Sequence, residues 1–586
     1  MNPMLVHALL CAAPLVHSAP IAVAADPAAP QDVAALLPAE VEVYAEAPGL
    51  PALCRQGLRH PLLASVLDSP VGDLIRDEVG SPGLLLVGLS VKVGRPVLPA
   101  IAKLTEGGLA VGLVPRKGGK PLVCVAARGD AAEWKSVLEA ALGMVAESEG
   151  LPPADLIAPQ RTVDGMHVWD LGDTLVMAHA DGLFLAASDA ATLERMIALR
   201  GDRAAETSLA ANLDFQRARS AYRTDAALVW SWLDLAALET SADDGLGELR
   251  AIQTQPAAQL LLGSTLANLG GAQSGALELR LGATSLELDV VGLDAPEGVA
   301  AKLVAPRKTS PPALPAQVDG ETARGSVYRD FATVFRERVD LFPPGVQPAF
   351  AEATSNLALF FGGKDVADDV LPKLDPWIGF VSRPVAFDER AIPEVPLPGA
   401  AILVRTTEPE TMGPELVAAV QSLLSILNIE AAQQQQPILT VNLELHEGTT
   451  ITYGRYRAPV QDEGVDLRYN LEPACAMVGD TFVLGTHRAL VKELAGQLAR
   501  GELTQPPRGE SLELSGAEVA RIIAANEETL VLGAVLEDGK SEAQARKEIQ
   551  GLGAVAGLID ALRLETARPA ARDLRASLKL LIGGER

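Results

Sequence analysis

Basic residues are scarce in this chain. Lys and Arg number 49 against 75 Asp and Glu, a formal charge of −26 at pH 7. The shortage excludes a DNA- or RNA-binding surface, because phosphate contacts draw on a positive face. It argues equally against docking on anionic lipid. Aromatic residues are few, with 5 Trp, 6 Tyr and 11 Phe, and leave little for ring platforms. Cysteine is rarer still, 4 in 586 residues. Cys11 falls in an N-terminal leader, so Cys54, Cys124 and Cys475 remain, too few and too dispersed for a disulfide framework. Cys124 and Cys475 sit in apolar strand-like runs where thiols are inert core groups, and a Cys54–Cys124 bridge stays open. Long apolar runs are also lacking. The longest uncharged stretch, Ala251 to Leu277, is broken by Pro256, Gly263, Asn268, Gly270, Gly271 and Gly275, so no transmembrane segment is expected after the leader.

The signatures of common chemistries are missing as well. No Gly-x-Ser-x-Gly elbow and no Asp-x-Asp-x-Asp-Gly calcium loop occurs. His446-Glu447 starts a zinc-protease pattern but continues Gly448-Thr449-Thr450, and reads as a hairpin turn. Gly539-Lys540-Ser541 imitates a phosphate loop after an apparent strand, but Ala534 stands where its first glycine belongs and Glu537-Asp538 would repel phosphate. Ser541 with Gln544 reads instead as a capping box. His167 and His179 fall on neighbouring strands and offer half a zinc site, with Asp170 and Asp173 nearby. The preferred reading is two histidines on the polar face of a sheet. Acid pairs such as Asp243-Asp244 and Asp368-Asp369 read as solvated surface. Trp230 and Trp232 alternate on one strand, share a face and read as core. No catalytic, cofactor-binding or metal-ligating residue is singled out.

What is present is ample core material: 48% hydrophobic and 21% charged residues, with a mean hydropathy of +0.20. Disorder of the whole chain is thereby excluded. The first 25 residues read as a signal peptide, with apolar Leu5–Val16 and the small-x-small pattern Ala22-Val23-Ala24. A periplasmic or extracellular address is expected.

The chain is also written twice. Leu37-Pro38-Ala39-Glu40-Val41-Glu42 returns as Leu314-Pro315-Ala316-Gln317-Val318-Asp319, and Val97-Leu98-Pro99 as Val370-Leu371-Pro372. Expected strands follow at Leu109–Val114 and Trp377–Phe387, then at Leu122–Ala127 and Ala400–Arg405. Each leads to an amphipathic helix, the first capped by Asp130 with Glu133, the second by Thr407 with Glu410. The hairpin Leu175–Ala187 turns on Asp181-Gly182, and Ala474–Leu484 turns on Gly479-Asp480, expected as type I′ and type II′. Ser188 and Thr486 are read as caps of the helices that follow, which end at Arg200-Gly201 and Arg500-Gly501. Strands Ala226–Leu233 and Thr529–Leu536, then closing pairs at 276–291 and 562–581, complete the copies. The expected organisation is a first repeat over 26–304, a Pro-rich linker at 305–318 and a second repeat over 319–586. Each repeat is expected to be α+β, a mainly antiparallel sheet with helices packed on one face.

The leader, the Leu-Pro-Ala-Glu-Val start, the Val-Leu-Pro segment before a strand and the hydroxyl residue after a hairpin resemble a family. It comprises large secreted bacterial proteins defined by a domain of unknown function. The resemblance covers nearly the whole mature chain and lends no catalytic residue. The expected function is an exported, non-enzymatic binding or interaction module with a protein, peptide or lipid partner. The alternatives are a hydrolase with dispersed carboxylates and a carrier with an apolar groove.

Overall fold

The computed structural model describes residues 32–582 apart from 57–93, 95, 117–118, 149, 173–174, 201–206, 242–264, 266–267, 270, 296–297, 299–301, 307–308, 342–343, 388–392, 457–467 and 571. The leader, His60, Asp173, Asp243-Asp244 and most of the uncharged stretch before Leu277 lie outside the described residues. The chain divides into two compact units, residues 1–250 with 269–295, and residues 251–268 with 296–586.

The first unit contains strands β1 (Val43–Glu46), β2 (Leu109–Val114), β3 (Leu122–Arg128), β4 (Arg161–Val163), β5 (Met166–Asp170), β6 (Val176–Ala180), β7 (Leu183–Ala187), β8 (Ala227–Asp234), β9 (Ser274–Leu281) and β10 (Ser285–Leu293). Its helices are α1 (Leu50–Gln56), α2 (Val97–Leu104), α3 (Ala131–Ser148), α4 (Pro153–Ile157), α5 (Ala190–Ala198), α6 (Leu213–Tyr222) and α7 (Leu235–Ser241). Every strand pair is antiparallel, in the spatial order β4-β5-β6-β7-β3-β2-β1-β8-β9-β10.

The second unit contains β11 (Leu314–Pro315), β12 (Ala323–Tyr328), β13 (Leu374–Arg383), β14 (Gly399–Thr406), β15 (Leu439–His446), β16 (Thr449–Tyr456), β17 (Ala474–Val478), β18 (Thr481–Gly485), β19 (Leu503–Thr504), β20 (Glu510–Leu514), β21 (Ile559–Ala567) and β22 (Leu574–Ile582). Its helices are α8 (Phe331–Arg336), α9 (Arg338–Leu341), α10 (Gln347–Phe360), α11 (Pro409–Gln433), α12 (Arg488–Arg500), α13 (Gly516–Ala525), α14 (Glu527–Asp538) and α15 (Glu542–Leu558). Its main sheet is again antiparallel throughout, in the order β15-β16-β17-β18-β14-β13-β12-β20-β21-β22. Taken pairwise along the chain, these ten strands hold the same places as the ten of the first unit.

The α+β class with antiparallel sheets is as expected from the short turns. The helices, expected on one face, cover both. Along β6, Val176, Ala178 and Ala180 join the core beneath α5 and α6, while Met177 between them packs with Trp134, Leu138 and Leu142 of α3. In the second unit Ala474 and Ala476 lie under α12 and Cys475 under α11. Successive strand residues point to opposite faces, so a run buried at every position needs cover on both sides.

Several local expectations are corrected. Thr529–Leu536 is not a strand; it lies within α14, and β20 holds the place opposite β8 in the strand order. A short apolar run has no period that separates strand from helix. Thr407 does not cap α11; Glu408 holds the N-cap position, and Thr407 Oγ1 donates to Lys373 O. Pro414 sits inside α11 without ending it. Leu423 and Leu427 of that helix are exposed. Ser188 and Thr486 do not cap helices either: Asp189 accepts from Thr192 N, and His487 holds the other N-cap position without a side-chain bond.

Other readings hold. The hairpin turns are tight: Asp181 and Gly182 both have positive φ, and Gly479 alone does in its turn. Gly501 ends α12 in the left-handed conformation. Trp230 and Trp232 are fully buried, each edge-on to Phe215 at 5.7 and 5.6 Å.

Candidate functional site

Among the described residues the first unit has an open hollow of about 320 Å³ lined by Asp32, Ala210, Phe215, Gln216, Arg219, Ser220 and Arg223. Its charges are already spent on each other. Arg219 Nη2 donates to Glu46 Oε2 at 2.8 Å and its Nη1 to Asp32 Oδ2, and Arg223 donates to the other oxygen of Glu46. The Tyr44 hydroxyl donates to Glu46 Oε2 at 2.8 Å, and burial followed by the Glu46 charge pushes its pKa well above the usual phenol value. Two guanidiniums balance two carboxylates, so the arrangement fastens α6 to β1.

The histidine pair is brought together and then covered. His167 and His179 stand directly opposite each other in β5 and β6. His179 is buried near the Trp134 ring, 6.2 Å between centroids, under α3 and not on an open polar face. Burial first and the His167 charge second lower its pKa. Among the described residues no group of three or more His, Cys, Asp or Glu is placed to hold a metal ion.

The remaining motifs resolve as structure. His446 ends β15, and the turn that follows uses Glu447 and Gly448, both with positive φ. Gly539 ends α14 in the left-handed conformation, so the loop follows a helix, and Ser541 Oγ accepts from Gln544 N at 3.3 Å as a cap. Lys540 is paired with Asp538 and Glu548. Cys54, Cys124 and Cys475 are unpaired buried thiols, and burial raises their pKa to about 11, about 11 and about 12. None of the three supplies a thiolate near neutral pH.

The feature that stands out is an apolar face on the second unit. Strand β15 alternates Leu439, Val441, Leu443 and Leu445 with Thr440, Asn442, Glu444 and His446. Leu439 is buried beneath α11 with Val420, Leu424 and Phe482. Asn428 of α11 pins that end, donating to Leu439 O and accepting from Leu439 N, both at 2.7 Å. Beyond it the same row emerges, with Val441, Leu443 and Leu445 at 40, 67 and 74% exposure. Leu423, Leu427 and Ile429 of α11 are exposed as well. This helix is the one described that is long and apolar enough to cross a membrane, with a mean hydropathy of 1.3, yet little of it is buried. On the opposite face of β15, Glu444 accepts from Lys492 and Arg488 of α12. The Lys492 bond, ahead of the cation charges, holds its carboxyl below the usual range.

In the first unit the counterpart of β15 is the short strand β4, and a helix covers the neighbouring β5. There α4 follows α3, and its Leu156 and Ile157 pack against Trp169 and Leu142. Trp169 Nε1 donates to Ile157 O at 3.0 Å and locks the cover down. The second unit passes from α11 to β15 through residues 434–438 alone, with no such helix. Large exposed apolar side chains of the described first unit are limited to Leu151 and Leu213. Sequence reasoning passed over this face. Its signal was the alternation of Leu439 to His446, whose apolar half reads as core until the neighbours are known.

No family model matches the chain, and no curated protein matches it. A solved structure titled "Structure of crystal form I of TP0453" overlaps 46% of this chain and 80% of its own, with 10% identity and a TM-score of 0.22.

Proposed function

We propose that the protein is an exported, non-enzymatic interaction module that binds a protein partner through the β15–α11 face of its second unit. One observation carries the reading: the row Val441, Leu443 and Leu445 stands exposed on β15, beyond the point where α11 covers Leu439. Contiguous exposed apolar surface marks a contact site more often than a free surface. An open strand edge offers main-chain hydrogen bonds, with pockets for alternate side chains as the source of specificity. Export is supported by the apolar stretch Leu5–Val16 and the Ala22-Val23-Ala24 pattern, and fits the secreted family that the motifs resemble. We further read the two units as copies of one fold, supported by their common strand order.

The test is photo-crosslinking in the producing cell. A photoreactive phenylalanine at position 443 yields a protein adduct in the exported fraction, on a chain that begins near Ala25. The same group at Leu213, exposed on the first unit, yields none. Equal labelling at both positions, or none at 443, defeats the reading.

A further inference from the structure

In the first unit the register sets four residues in one cross-strand row: Thr162 of β4, His167 of β5, His179 of β6 and Phe184 of β7. Directly opposed residues of neighbouring strands project from the same face, with Cβ atoms about 4.5–5.5 Å apart. The row is roofed at one end only. Trp134 of α3 stacks on Phe184, 4.4 Å between centroids and 6° between planes, and its ring lies 6.2 Å from that of His179. Trp134 is itself fixed, its Nε1 donating to Leu104 O at 3.0 Å. Thr162 and His167 at the other end are exposed. His179 is 9% exposed, and its Nε2 is shut off from water without a hydrogen-bond partner. Buried polar atoms are nearly always paired, so an imidazole nitrogen of this kind is a candidate for a metal bond.

We propose that His167 and His179 together bind a divalent transition metal ion of the imidazole-preferring kind, copper(II) above zinc(II). Two neighbouring imidazoles suit these ions, and the order of the two follows the general rise in affinity toward copper. Calcium and magnesium ask for oxygen ligands and are excluded. A metal must compete with protons for imidazole nitrogen, and the burial that lowers the pKa of His179, ahead of the His167 charge, weakens that competition. The Asp181 charge acts on His179 in the opposite sense and favours a cation beside it. His167, being exposed, can turn toward its neighbour without repacking, while His179 is held under Trp134. Among the described residues no third His, Cys, Asp or Glu joins the pair. The remaining positions on the metal therefore fall to water from the open Thr162 side, unlike a closed structural zinc site.

The experiment is calorimetric titration of the full mature chain, freed of metal by a chelator, with copper(II) and with zinc(II). One equivalent of either ion is expected to bind, copper more tightly, and each raises the melting temperature. The copper complex should show two nitrogen donors in its electron paramagnetic resonance spectrum. His167→Gln should lose the site and keep the metal-free melting temperature, because the side chain is exposed. His167→Cys restores a donor and should recover zinc binding. His446→Gln, at the end of β15, should leave binding unchanged. A metal-free chain that takes up neither ion overturns the proposal. So does uptake that survives His167→Gln, or a copper spectrum with a single nitrogen donor. These outcomes are independent of the crosslinking test at position 443.

Discussion

Ser188 and Thr486 each stand one residue past the end of a hairpin strand, and each clasps the neighbouring strand in the same way. Ser188 N donates to Val123 O at 3.1 Å while its Oγ accepts from Val123 N at 3.1 Å. Thr486 N donates to Ala400 O at 2.8 Å while its Oγ1 accepts from Ala400 N at 2.9 Å. Two bonds through one residue extend a ladder past its last strand residue and fix where the helix begins. Ser188→Ala and Thr486→Ala should each cost about 1 kcal/mol, because each strands a strand amide. Urea unfolding would measure this, and a change within error in both variants would show that the clasp is not structural. Two buried histidines contribute to the pH response. Burial lowers the pKa of His179, with His167 adding to it and Asp181 opposing, and burial alone lowers that of His487, whose Nδ1 lies 3.3 Å from Thr486 Oγ1 and whose ring meets Phe387. A group whose folded pKa lies below 6.5 binds protons preferentially in the unfolded chain. Its contribution is therefore full above about pH 6.5 and is lost as pH falls below that value. Melting temperature should drop between about pH 7 and pH 5, and His487→Phe should flatten the slope.

At the scale of elements, recurring segments are held at recurring places. Ala39 N donates to Thr207 O at 3.0 Å, and Ala316 N donates to Glu502 O at 2.8 Å. Each bond ties a Leu-Pro-Ala segment to the chain that leaves the helix after the hairpin. Pro38 bridges Ser208 as Pro315 pairs with Leu503. Leu314–Pro315, in the proline-rich stretch, is thus part of a small sheet within the second unit. Arg383 reinforces that corner. It is 2% exposed and donates to Glu321 at 2.9 Å, to Glu493 at 2.5 Å, to Gln497 at 3.2 Å and to Ala316 O at 2.7 Å. It therefore joins β13 to α12 and to the segment leaving β11. Arg383→Ala should destabilise by about 3–5 kcal/mol, because Glu321 is left buried with reduced compensation. Denaturant titration would show it, and a loss below about 1 kcal/mol would mean that Arg324, 3.2 Å from Glu321, suffices alone. Neither arginine was marked as structural by sequence, since an isolated cation in a strand reads as surface until its partners from distant segments are in place.

At the scale of the molecule, our reading of the two units as copies predicts that an experimental structure will superpose β1–β10 on β12–β18 with β20–β22, strand for strand in the shared order. It should place Val123 with Ser188 over Ala400 with Thr486. Unrelated positions for these clasps after the sheets are fitted would sink it. Composition alone decided that this acidic, aromatic-poor chain has core enough to fold and lacks the basic surface for nucleic acid. Local sequence decided the turns, since Asp181, Gly182 and Gly448 can take positive φ where their neighbours cannot do so cheaply. It also decided the strands whose alternation spans one sheet. It did not decide Thr529–Leu536, a run whose helical form depends on α13 and α15 beside it. Nor did it decide which face of β15 is bare. Val441, Leu443 and Leu445 have the same pattern as a buried strand, and exposure is a property of what stands opposite. Only the tertiary structure shows that α11 covers Leu439 and stops there. Period is local and travels with the sequence; cover comes from segments far along the chain and is settled only when they pack.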